Sequence, residues 1–156
     1  MSAITPFLWF EDQALEAAEF YVSVFPNSRV VDVVRMGEGT LGAGSVLTVS
    51  FVLDGTAFSA LNGGPRFAFT EAVSFVVSPT TQAEIDDLWA RLTDGGEPGQ
   101  CGWLKDRYGL SWQVVPPVLV ELLADPDPEV SSRVMQAMLT MGKIDVAGLV
   151  AARDAG

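Results

Sequence analysis

The chain has 156 residues, 49% of them apolar, and a formal net charge of −11 from 20 carboxylates against 9 lysines and arginines, with no histidine. That length suits one domain with a substantial core, while a field of that sign repels phosphate backbones and anionic lipid, so neither nucleic acid nor a membrane is an expected partner. Ser-His and Cys-His catalysis are excluded by the missing histidine, and the one cysteine, Cys101, excludes an intramolecular disulfide and fits a reducing compartment.

The opening "MSAITPFLWFEDQ" has no basic segment, and its apolar run is too short for a secretion signal or a membrane span. A cytoplasmic protein is expected. The high apolar share points to surface covered by a second subunit, hence a homodimer.

In chain order, Ile4 to Phe10 reads as an aromatic-rich first strand, with Pro6 favouring an early or edge position. A helix is predicted over residues 13–24, with Leu15, Ala18, Val22 and Phe25 as its apolar face, stopped by "FPNS". Three strands follow in "SRVVDVVRM", "GSVLTVSFVL" and "TAFSALN"; the Asp54-Gly55 dipeptide between the last two is a tight-hairpin signal, since both residues tolerate positive φ. The order then repeats after "NGGPRF": strand "AVSFVV", a helix with Ile85, Leu88, Trp89 and Leu92 on one face, the stop "DGGE", and antiparallel strands ending in "LSWQVVP". Beyond Pro117 three helices are predicted, with a stop at Gly142 and a packed face of Met135, Met138, Leu139 and Met141.

The expected fold is therefore α+β: one domain over residues 1–156, made of two βαβββ modules forming a curved mixed sheet, with a helical C-terminal extension. The first module covers about 3–62, the second about 71–117 and the extension about 118–153. Strand alternation puts Thr5, Phe7 and Trp9 in one row, Thr48 and Ser50 in another, and Gln113 opposite Leu110, Trp112 and Val114.

The segments "ITPFLWF", "EAAEFY", "FPNS", "ALNGGP", "AVSFVV", "QCGWLKDRYGLSWQVVP" and "DPDPE…RVMQAMLTMGKID" resemble the PhnB-like (demethylubiquinone methyltransferase-like) subfamily of the glyoxalase/bleomycin-resistance/dioxygenase, or vicinal oxygen chelate, superfamily. No Gly-rich strand-to-helix turn of the nucleoside-cofactor type accompanies them, so the methyltransferase label finds no support in the motifs. The resemblance implies a concave cavity and a divalent metal held by four side chains, at positions falling near Thr5, Ser59 or Leu61, Ala72 and Gln113. Only Gln113 could ligate, and a neutral carboxamide alone is a weak donor. Neither a metal nor another cofactor is expected; a divalent metal is the alternative.

An aromatic-walled cavity with sparse polar anchors is the usual form of a small-molecule site. The candidate ligand-binding residues are Phe7, Trp9, Asn62, Arg66, Cys101, Trp103 and Gln113, with Arg66 able to clamp a carboxylate or phosphate. Trp112 is assigned to the core. The leading functional expectation is a metal-free module binding a small, partly hydrophobic or aromatic molecule. The alternative is a lyase, isomerase or dioxygenase of the vicinal oxygen chelate type, with an unconventional metal site or with Glu71 or Cys101 moving protons. A third is an acidic interaction protein.

Overall fold

A computed structural model describes residues 4–39 and 42–156. Residues 1–3, which include the expected start of the first module, lie outside the described residues. The chain divides into two compact units, one ending at Phe69 and the other beginning at Thr70.

The first unit runs β1 (Phe7–Phe10), α1 (Ala14–Val24), β2 (Arg29–Arg35), β3 (Val46–Leu53) and β4 (Thr56–Asn62). Its sheet has the order β1-β4-β3-β2, with β1 parallel to β4 and the other pairs antiparallel. β1 starts at Phe7 rather than Ile4 because Pro6 has no N–H to give; its carbonyl instead accepts from Ser59 N at 2.9 Å. Asp54 and Gly55 turn the β3–β4 hairpin with φ of 45° and 80°, as that dipeptide indicates.

Helix α1 buries Ala14, Ala17, Ala18, Tyr21 and Val24, so the face predicted from Leu15, Ala18, Val22 and Phe25 is rotated. The alanines explain this: small side chains let the helix approach the sheet closely, leaving Leu15 and Val22 as half-buried flanks. Tyr21 then stacks on Phe51 (6.4 Å between centroids), and Phe51 on Phe58 (5.5 Å), which fills the core beneath the helix.

The second unit runs β5 (Ser74–Val77), α2 (Gln82–Thr93), β6 (Glu97–Pro98), β7 (Trp103–Lys105) and β8 (Ser111–Val114), in the sheet order β5-β8-β7-β6, with β5 parallel to β8. Thr81 caps α2 by accepting from Glu84 N, and Glu84 returns the favour to Thr80 N at 2.9 Å. Leu110, Trp112 and Val114 are all buried, as the alternation of β8 requires.

Three helices follow: α3 (Pro117–Leu123), α4 (Pro128–Leu139) and α5 (Val146–Asp154). They share a cluster of Leu119, Leu122, Val134, Ile144 and Leu149, against which Met138 and Met141 pack. Met135 and Leu139 stand exposed, so the methionine face is only half buried. α4 also stops before Gly142. Thr140 ends it, because the next carbonyls turn sideways: Met141 O accepts from Cys101 N and Gly142 O from Gly102 N, both at 2.8 Å. None of the helices among the described residues is long and apolar enough to cross a membrane.

Candidate functional site

In the first unit, helix α1 covers one face of the sheet and leaves a second face whose make-up follows from strand register. Phe7 pairs with Ser59, Ser59 with Ser50, and Ser50 with Asp32. Trp9 pairs with Leu61, Leu61 with Thr48, and Thr48 with Val34. These two rows make a surface of aromatic, hydroxyl and aliphatic groups, half-buried at Trp9, Ser59, Leu61, Ser50 and Thr48 and exposed at Phe7 and Val34. Asp32 takes its place on this face at the outer strand β2.

Trp9 is locked in place. Its indole Nε1 donates to Gly64 O at 3.0 Å, and the ring lies so close to Gly63 that a Cβ there would overlap it, which is why this position is glycine. The loop after β4 follows the β1 edge, with Gly63 N bonded to Phe10 O and Gly64 N to Glu11 O. Phe67 meets Trp9 edge-on at 4.9 Å, Phe69 meets Phe10 edge-on at 5.3 Å, and the Arg66 guanidinium carbon lies 5.4 Å from the Phe67 centroid. Phe7, Trp9 and Arg66 thus belong to one neighbourhood.

Asn62 does not join them. Alternation along β4 places it with Phe58 and Ala60 on the helix side, where its Oδ1 accepts from Ala14 N at 2.8 Å and its Nδ2 donates to Val46 O at 3.2 Å. The N-terminal residue of α1, Gln13, makes no side-chain cap, so Asn62 supplies one from the sheet.

In the second unit, Gln113 lies between its register partners Val76 and Trp103, and its Nε2 donates to Ser74 Oγ at 2.9 Å. Ser111, Lys105 and Ser74 form the neighbouring row. Glu71 is ion-paired with Lys105, whose hydrogen bond and charge hold the Glu71 carboxyl below its ordinary value. It is an ionised partner for lysine, not a base tuned toward neutral pH. Cys101 is turned toward the C-terminal extension: its backbone is left-handed (φ 59°), its N–H bonds to Met141 O, and its Sγ lies 3.6 Å from Met138 O.

Of the seven sequence candidates, then, Phe7, Trp9 and Arg66 gather in the first unit and Trp103 and Gln113 in the second, while Asn62 and Cys101 hold backbone. Sequence reasoning passed over Phe67, Ser74 and Asp106. The last is 3% exposed, accepting from Tyr108 N (2.8 Å) and Leu110 N (3.1 Å) at Oδ1 and from Trp112 Nε1 (2.9 Å) at Oδ2. A signal existed in "KDRYGLSW": a buried tryptophan needs a partner for its indole N–H.

The positions that the family resemblance assigns to a metal do not fit one. Thr5 and Ala72 are exposed and lack a ligating imidazole, thiolate or carboxylate, Ser59 and Leu61 offer a hydroxyl and a hydrocarbon, and Gln113 offers only a neutral carboxamide oxygen, a weak donor without an anionic or imidazole companion. Among the described residues no three His, Cys, Asp or Glu side chains converge to hold an ion.

A family model described as 3-demethylubiquinone-9 3-methyltransferase matches residues 2–115. The PhnB protein from Bacillus cereus is 34% identical, with 74% of this chain and 99% of that chain covered and a TM-score of 0.68. Protein PA1353 from Pseudomonas aeruginosa is 20% identical over 72% of this chain and 95% of its own, with a TM-score of 0.61. The fosfomycin resistance protein FosX from Mesorhizobium loti shares the fold at 14% identity and a TM-score of 0.55, over 79% of this chain and 97% of that one. No curated protein matches. Helices α3 to α5 fall beyond the matched residues. With a family model spanning most of its length and a PhnB relative at 34% identity, the chain belongs to the PhnB-like 3-demethylubiquinone-9 3-methyltransferase family.

Proposed function

We propose that this protein is a metal-free member of its family that binds a small, partly aromatic molecule. The observation that supports this best is the immobilised Trp9, half-exposed above a row of neutral side chains and fixed by Gly63, Gly64 and Phe67. A large aromatic surface whose rotamer is already set loses little entropy when a ligand lands on it. Phe7 and Arg66 serve this ligand on the sheet of the first unit, and Trp103 and Gln113 stand as the candidate ligand-binding residues on the sheet of the second. Gln113 acts as a hydrogen-bonding group, with its orientation set by Ser74. We place the protein in the cytoplasm as a homodimer, and exposed Val31 supports the dimer.

Elemental analysis of untagged protein after incubation with zinc, nickel, manganese and magnesium tests the metal half of this reading, and a thermal-shift screen with aromatic compounds tests the ligand half. The expected result is metal far below one equivalent and saturable stabilisation that Trp9→Ala abolishes without loss of secondary structure. One equivalent of metal, released by Gln113→Ala, would instead assign the protein to metal-assisted catalysis.

A further inference from the structure

We propose that Arg66, seated against Phe67, is an anion clamp, and that the ligand is a small monoanion: an aromatic or apolar body with one carboxylate or sulfonate group. This deepens the reading given above and rests on it.

The inference starts from where the cations go. The chain has 9 lysines and arginines among 20 carboxylates. Arg91, Lys105, Arg107, Lys143 and Arg153 are ion-paired with Asp87, Glu71, Asp94, Asp86 and Asp154. Arg133 donates to Ala152 O and Arg153 O at the end of α5, and Arg35 to Gly44 O. Among the described residues Arg29 and Arg66 are left without a carboxylate or carbonyl partner, and Arg29 is an exposed charge at the start of an edge strand, where such residues discourage edge-to-edge pairing.

Arg66 is placed differently. Its loop is bonded to β1 through Gly63 and Gly64, and its guanidinium lies against Phe67, which in turn packs on Trp9. Among the described residues no carboxylate or carbonyl takes up the Arg66 N–H groups, which can grip a planar oxyanion with two parallel hydrogen bonds. Phe67 is 58% exposed, so apolar surface lies beside them. The ligand must therefore combine an oxyanion with an apolar surface. One cation in a molecule of charge −11 holds a single anionic group; a polyanion such as a nucleotide would meet the repulsion of the whole chain.

Fluorescence titration with two probes tests this: anionic anilinonaphthalene sulfonate and the neutral phenylnaphthylamine. The wild type should bind the sulfonate saturably and more tightly than the neutral probe. Arg66→Gln should weaken the sulfonate about tenfold or more, the range of a charge-assisted hydrogen bond, and leave the neutral probe unchanged. Arg66→Lys should retain part of the preference as a point charge. Equal binding of both probes by the wild type, or sulfonate affinity untouched in Arg66→Gln, overturns the clamp while leaving an apolar binding site standing. Saturable binding of neither probe overturns both the clamp and the ligand-binding reading beneath it.

Discussion

Asp106 receives three hydrogen bonds inside the β7–β8 hairpin, two from backbone and one from the Trp112 indole. Replacing it by alanine removes the acceptor of all three, two of them buried, at roughly 1–3 kcal/mol for each buried group left unsatisfied and not additively. Asp106→Ala should therefore cost about 3 kcal/mol or more in urea denaturation, followed by tryptophan emission. Asp106→Asn should cost less, since one oxygen still receives the two backbone N–H groups while its amide opposes the indole. Equal stability of Asp106→Ala and the wild type would show that the carboxylate does not hold the hairpin. In the sequence this residue looks like an ordinary turn aspartate, because its third donor lies six positions on and its burial depends on packing.

The same device recurs among the elements, twice and across long separations. Helices α1 and α5 begin at Gln13 and Asp145, neither of which caps its helix with its own side chain. Asn62 caps α1 through Ala14 N, and Gln82 on α2 caps α5 by accepting from Val146 N at 2.8 Å while donating to Ile144 O at 3.0 Å. Gln82→Ala should cost about 1 kcal/mol, the usual worth of a helix cap. Hydrogen exchange read by mass spectrometry should quicken over residues 144–154, with strand β8 unchanged. Unaltered protection in α5 would mean that its own cluster around Leu149 suffices. Local patterning did mark where these helices lie, yet the buried face of α1 differed from the one expected, because close approach to the sheet favours alanine over the bulkier Leu15 and Val22.

For the whole molecule, charge sets the sign of the response to salt. The five ion pairs among the described residues lie at the surface, contribute little individually and are weakened by screening. The −11 excess of like charge works against the compact state and is weakened by screening too. The second effect is the larger, so the melting temperature at pH 7 should rise by a few degrees between low and high sodium chloride. A fall across that range would show that the ion pairs outweigh the self-repulsion.

By itself the sequence determined the α+β class, the repeated βαβββ order, the Asp54-Gly55 hairpin and the helical C-terminal extension. Each of these rests on interactions between residues a few positions apart: side-chain periodicity, turn conformation and capping chemistry. Only the tertiary structure decided what the polar residues do. Asn62, Gln82 and Cys101 are committed to backbone groups 48, 64 and 37 positions away, and Arg66 is set against an aromatic with no acidic partner among the described residues. A hydrogen bond or an ion pair needs its two groups at contact distance, and for groups so far apart along the chain that distance exists only after the strands have been brought into register.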